Sequence, residues 1–169
     1  MNRIINFKVR RVENLTTELQ QMWNEYRKDM SEYTADMELT PSLDSCTNAY
    51  VVYAQKDIVE TEAVGFYILG EYPNSFSRND IFVSQFFIKR QYRKKGIGQA
   101  VIEKCILKTA KKRGENISLF VLKKNEGARK FWKKAMSRLG YVERFTEIGF
   151  WAGNDAIEMM FWHPEINIF

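Results

Sequence analysis

Arg93-Lys94-Lys95-Gly96-Ile97-Gly98 joins a strand-like run, 81–88, to a helix-like run that begins near Ile97. A strand that turns through a basic, glycine-punctuated loop into a helix assembles an anion site from three parts. The helix N-terminus presents N–H groups without intrahelical partners and the positive end of the helix dipole. Glycine lets backbone approach a ligand closely, and Arg and Lys add charge. A ligand that carries phosphates is the expectation. One helix and one strand later comes Asn125-Glu126-Gly127-Ala128-Arg129-Lys130-Phe131-Trp132-Lys133-Lys134, followed by Leu139-Gly140-Tyr141.

The rest of the chain supplies elements to hold these segments. Ile4 to Val12 reads as a first strand, and Leu15, Leu19, Met22, Trp23 and Tyr26 then recur at helical spacing, with Asn14 or Thr16 as N-cap. The stretch up to Pro41 admits a second short helix. Ala49–Ala54 and Ala63–Leu69 read as strands joined by a polar turn through Lys56 and Asp57, and Pro73-Asn74-Ser75 marks a loop. After the 81–88 strand a helix runs from Gly96 to Lys112, closed by Gly114. Ile117–Leu122 is a strand, Asn125–Leu139 a helix closed by Gly140, and Tyr141–Ile148 and Ala156–Trp162 are final antiparallel strands.

The 169 residues suit a single domain, 1–169, and 45% apolar content suits a globular chain. No apolar run approaches the roughly 20 residues that a bilayer span needs, and the N-terminus has no sustained apolar core of a signal peptide. Cys46 and Cys105 have neither framework nor metal spacing and read as reduced thiols. A cytoplasmic protein without bound metal or membrane partner is expected, either a monomer or a homodimer.

The net charge of +5 conceals a division. Residues 89–138 hold 17 Lys and Arg against Glu103, Glu115 and Glu126, whereas residues 12–80 hold 13 acids against four bases. A basic block suits a polyanionic ligand and an acidic block a cationic one. Single charges within each block read equally well as solvated faces.

The two motifs, in this order and with this element pattern, resemble the GNAT superfamily of acyl-CoA-dependent N-acetyltransferases. Its loop pattern is Arg or Gln, two residues, Gly, one residue, then Gly or Ala, and Arg93, Gly96 and Gly98 meet it. Asn125, Ala128, Phe131 and Gly140 match a second family segment. The resemblance is close over 80–142 and rests on element order elsewhere. It implies an α/β fold with a mixed, mostly antiparallel sheet of six to seven strands flanked by about four helices, its two middle strands parallel and splayed.

It also implies a division of labour. Backbone N–H groups of the 94–99 turn (Lys94, Lys95, Gly96, Ile97, Gly98 and Gln99) would hold the pyrophosphate of acetyl-CoA, the acyl donor, with Arg93 beside them. The pantetheine arm would pair with the open edge of the 81–88 strand near Phe87 and Ile88. The amide of Phe86 would face the thioester oxygen, and Asn125 would reach the cofactor from the far wall or serve as N-cap of its helix.

Acid–base chemistry is less well supplied. An alkylamine must lose a proton before it attacks, since its pKa lies near 10.4. The family often places a carboxylate on the central strand for this purpose, but here Ser84-Gln85 stands there. Glu71, Asp80 and His163 are weakly placed substitutes. The family's usual tyrosine is replaced by Trp132, whose N–H donates a hydrogen bond but yields no proton, which leaves Tyr141 as the nearest phenol in sequence. Proximity and water would then carry more of the work.

The resemblance also implies that the acceptor wall falls on the least family-like part. Tyr26, Asp29, Glu32, Tyr33, Asp36 and Glu38 bring acids and aromatics to one helical region suited to a primary amine of a small molecule or peptide, and Gln85 of the central strand is a further candidate for binding it. An ordinary charged helix face fits the same residues. Two other classes fit parts of the chain. A GNAT-like domain that binds acyl-CoA without useful catalysis accommodates the missing acid and base. A nucleic-acid module accounts for the basic block and Tyr92, but for neither glycine motif, so no nucleic-acid partner is expected.

Overall fold

The computed structural model describes residues 6–34, 48–55, 61–70, 80–113, 115–151 and 154–164. Among them, one sheet takes the order β1 (Phe7–Val12), β2 (Ala49–Gln55), β3 (Thr61–Gly70), β4 (Asp80–Ile88), β5 (Asn116–Leu122), β7 (Asn154–Trp162), β6 (Val142–Trp151). Every neighbouring pair is antiparallel except β4 and β5, which run parallel. The helices are α1 (Thr17–Met30), α2 (Ile97–Val101), α3 (Leu107–Arg113) and α4 (Glu126–Arg138). The mixed sheet and its single central parallel pair match the architecture expected from the sequence.

Local chemistry sets the helix ends. Thr16, in extended conformation, accepts from the Leu19 N–H on its side-chain oxygen and so starts α1. Asn125 does the same for Ala128 at the start of α4, and Gly140, at φ 79°, closes it. The expected second short helix, Cys46, the polar turn at Lys56, the loop at Pro73 and the cap at Gly114 all lie outside the described residues.

The helices cover the sheet from both sides. Leu19, Met22 and Trp23 of α1 pack on Ala49, Val51, Phe66, Ile68 and Phe87. The opposite face, with Val52, Val64, Tyr67, Val83, Ile88 and Leu119, takes Ile97, Val101, Ile106, Ala110, Trp132 and Met136. Residues adjacent in β3 thus face different layers, so 63–68 is buried throughout and reads as a continuous apolar run.

Of the departures from regular geometry, two flank the loop after β4 and were not legible in the sequence. The helix predicted over 96–112 is interrupted by a π segment, Ile102–Ile106, where the Leu107 N–H reaches back to Ile102 O. In the sheet, the consecutive residues Ile68 and Leu69 pair with Gln85 and Val83, leaving Ser84 as an extra residue in β4. Such a bulge bends its strand and increases its twist. Pairing between β4 and β5 stops at the same point, with Val83 opposite Leu119, while β5 continues against β7 to Leu122. The two parallel strands therefore part beyond the bulge.

Candidate active site

The opening between β4 and β5 presents backbone. The Lys89 N–H donates to Val64 O at 2.9 Å, so Lys89 faces β3. Alternation along an extended strand then turns Phe87 toward β3, and Phe86 and Ile88 away from it. That is the side from which β5 has withdrawn. The amides of Phe86 and Ile88 consequently line the gap, and Ile88 O accepts from Arg93 Nε at 2.7 Å.

The loop beyond β4 begins with a short 3-10 turn, Arg90–Tyr92. Lys94 at φ 59° and Gly96 at φ 80° both adopt left-handed backbone. A Cβ added at Gly96 would meet no atom within 4 Å: the glycine answers a backbone angle and opens onto free space. Gly98 is small for another reason, because its Cβ would come within 3.1 Å of the Phe131 ring. Only Gly96 therefore fits the expectation that glycine clears room for a ligand. The first helical bond runs from Ala100 N–H to Gly96 O, which leaves the N–H groups of Ile97, Gly98 and Gln99 without helical partners. The Ile97 side chain is core, so only its backbone can serve a ligand. The Gln99 side chain accepts from Arg138 at 3.2 Å, and Lys95 lies over the Tyr92 ring.

Below the gap, α4 supplies an aromatic floor. Phe86 stacks on Phe131 with ring centres 5.9 Å apart and meets Trp132 edge-on at 5.3 Å. Trp132 is buried. Phe131 thus joins the site from α4, and the sequence marks it only through the small Gly98 that faces its ring. Asn125 serves as an N-cap, its Oδ1 3.0 Å from the Ala128 N–H.

The α1 side differs from expectation. Tyr26 donates its hydroxyl to Oε1 of the buried Gln85 and packs against Phe66 and Phe87. Burial pushes its phenol well above the usual tyrosine range, so it stays a neutral donor. Asp29 was expected to await a cationic acceptor, but its carboxylate is bound to Arg90 and Arg93 of the basic loop, and Glu32 is bound to Arg90. The charge separation seen in the sequence is partly neutralised inside the fold. Tyr33 follows α1, half-buried. Asp36, Glu38 and Glu71 lie outside the described residues.

A family model for the acetyltransferase (GNAT) family matches residues 14–137. The chain belongs to that family. No match is found among curated proteins. Solved GNAT-like folds are numerous. A Bacillus subtilis acetyltransferase in complex with CoA is 15% identical, with 92% of this chain and 97% of that one covered at a TM-score of 0.58. A GNAT family acetyltransferase from Elizabethkingia anophelis with acetyl-CoA bound is 15% identical, covering 92% and 95% at 0.56. Arabidopsis thaliana NAA60, in complex with a bisubstrate analogue, is 15% identical, covering 92% and 96% at 0.59.

In this GNAT chain Tyr141 stands in the wrong place to serve as acid. It precedes β6, whose Val142 pairs with Trp162, while Phe161 pairs with Ile117 and Ile117 with Ile81. That register puts it level with the Ile81 end of β4, three strands to the side, and about 16 Å from Phe86 along the strand direction alone at roughly 3.3 Å per residue. The reason is topological: α4 starts beside the gap and runs back along β5. Tyr141 is buried, its hydroxyl has no hydrogen-bond partner, and burial raises its pKa. Its ring packs on His163 at 5.0 Å, so His163 is part of the same remote contact. Asp80, paired with Asn116, is likewise at the closed end. Tyr141→Phe should leave turnover and the alkaline limb of the pH–rate profile unchanged. Thermal stability should hold or rise slightly, since a buried unpaired hydroxyl costs about 1–3 kcal/mol. A flattened alkaline limb would restore Tyr141 to the mechanism.

Proposed function

We propose that the protein transfers an acetyl group from acetyl-CoA to the primary amine of a small molecule or peptide, by direct attack within a ternary complex. The observation that carries this reading is the opening of β4 from β5 beyond Ser84, which leaves the Phe86 and Ile88 amides unpaired by β5 beside a left-handed, basic loop. The residues fit the cofactor. Phe86 and Ile88 offer strand-edge hydrogen bonds to an amide-bearing arm, and Ile97, Gly98 and Gln99 offer N–H groups to phosphate. Lys94, Lys95 and Arg93 add positive charge, and Phe87, whose backbone faces β3, contributes packing only. Asn125 and Trp132 act indirectly, one fixing the start of α4 and the other the floor under Phe86.

When bound, the cofactor supplies an activated acyl thioester. The Phe86 N–H would donate to the thioester carbonyl oxygen, which gains negative charge as an amine attacks. Tyr26 and Gln85 form the polar part of the acceptor wall, and neither takes up a proton at neutral pH. Since 84–88 carries no carboxylate, orientation of the reactants, with water as the proton carrier, takes a larger share of the work. A second reading follows from that same absence: an acyl-CoA-binding domain with little turnover.

Thiol release from acetyl-CoA, measured across polyamines, amino-sugar antibiotics, amino acids and lysine peptides, separates the two. An amine-dependent rate at least about tenfold above hydrolysis supports the transferase. Tight binding of acetyl-CoA with no amine-dependent release supports the binding domain.

A further inference from the structure

Asp29, in the last turn of α1, joins the acceptor wall to the cofactor loop. One carboxylate oxygen takes Arg90 Nε at 2.7 Å and the other takes Arg93 Nη2. Arg93 also donates Nε to Ile88 O at 2.7 Å, and its guanidinium lies 5.5 Å from the centre of the Phe87 ring. A planar guanidinium held at both Nε and Nη2 has little freedom left. The Asp29 side chain is 17% exposed against 60% for Arg90 and 42% for Arg93, so the carboxylate is the fixed member. Both of its oxygens are engaged, which leaves it poorly suited to recognise a cationic acceptor.

We propose that Asp29 is a positioning residue for the cofactor loop, acting through Arg93 to hold the open end of β4 and the first turn of the loop in the geometry that receives coenzyme A. The inference rests on the reading of that loop as the coenzyme A site. It reverses what charge alone predicts. A carboxylate beside a polyphosphate repels it, and its removal should tighten binding, most at low salt. A carboxylate that orders the loop should instead loosen binding when removed.

Calorimetric titration of the full chain with coenzyme A, at low and moderate salt, separates these effects. Asp29→Asn is expected to weaken binding about tenfold, in the range of linked-site couplings, with the acceptor KM at saturating acetyl-CoA nearly unchanged. Glu32→Gln makes the same change of charge nearby but touches only Arg90 among these groups, and should leave affinity unchanged or slightly tighter. In an Arg93→Gln background, Asp29→Asn should add less than about twofold, as expected when one residue acts through another. Should Asp29→Asn fail to fold, Arg93→Lys keeps the charge, loses the forked geometry and is expected to show the same loss. Unchanged or tighter binding in Asp29→Asn, or in Arg93→Lys, overturns the positioning role. Absence of coenzyme A binding by the unaltered protein overturns the cofactor reading itself, and the positioning role with it.

Discussion

Gly96→Glu should reduce coenzyme A affinity by at least about a hundredfold, some 2.7 kcal/mol, while the chain still folds. Gly96 holds φ 80°, and a Cβ there would touch nothing within 4 Å, so the folded state bears backbone strain but no clash. That strain costs about 1–2 kcal/mol, a drop of a few degrees in melting temperature. The introduced carboxylate occupies the free space in which the phosphates are proposed to sit. One like-charge contact at 4 Å is worth between about 1 kcal/mol in water and about 4 at a protein surface. A pyrophosphate meets it with more than one charge. Gly96→Ala is the matched control, with the strain and without the charge, and should lose much less affinity at a similar melting temperature. Gly98→Glu is a poorer test, because even a methyl group there crowds Phe131 and binding would be confounded with packing. Wild-type affinity in Gly96→Glu, read by calorimetry, would remove the loop from the cofactor site.

Trp132→Ala should cost about 3–5 kcal/mol of stability, or roughly 10 °C in melting temperature for a chain of this size. Trp132 is 4% exposed and contacts both Phe86 and Phe131, so truncation leaves a cavity directly beneath the residue whose amide is proposed to face the thioester. Turnover should fall with it, since an oxyanion-type donor is effective only when held in place, while coenzyme A binding at the loop persists. Trp132→Phe keeps most of the packing and should lose only a few degrees and less than about threefold in turnover. If Trp132→Phe instead matches Trp132→Ala in kinetics while remaining as stable as the parent, the indole N–H acts on the reacting group and the packing account fails.

What the sequence determined by itself is local. The turn from β4 into α2 was legible because its determinants lie within a few residues: a glycine where the chain turns left-handed, basic side chains beside it, and apolar periodicity that changes from strand to helix. Asn125 was legible as a cap, and Thr16 as one of two candidates with Asn14, for the same reason, since a cap bonds an N–H only three residues on. The bulge at Ser84 left no such mark. Phe86, Phe87 and Ile88 are apolar in succession and serve both faces of the sheet, so one extra residue disturbs no visible alternation. The pairing of Asp29 was hidden because its partners Arg90 and Arg93 lie 61 and 64 residues away. Block charge revealed an acidic and a basic segment, but only the packing of α1 against β4 made them neutralise one another. Tyr141 was misread because nearness along the chain to Trp132 suggested nearness to the site. The run of α4 back along β5 carries Tyr141 to the far end of the sheet. Backbone angle and capping are decided by neighbours in the chain, whereas ion pairs and distances between elements are decided by strand order and register, which tertiary packing alone selects.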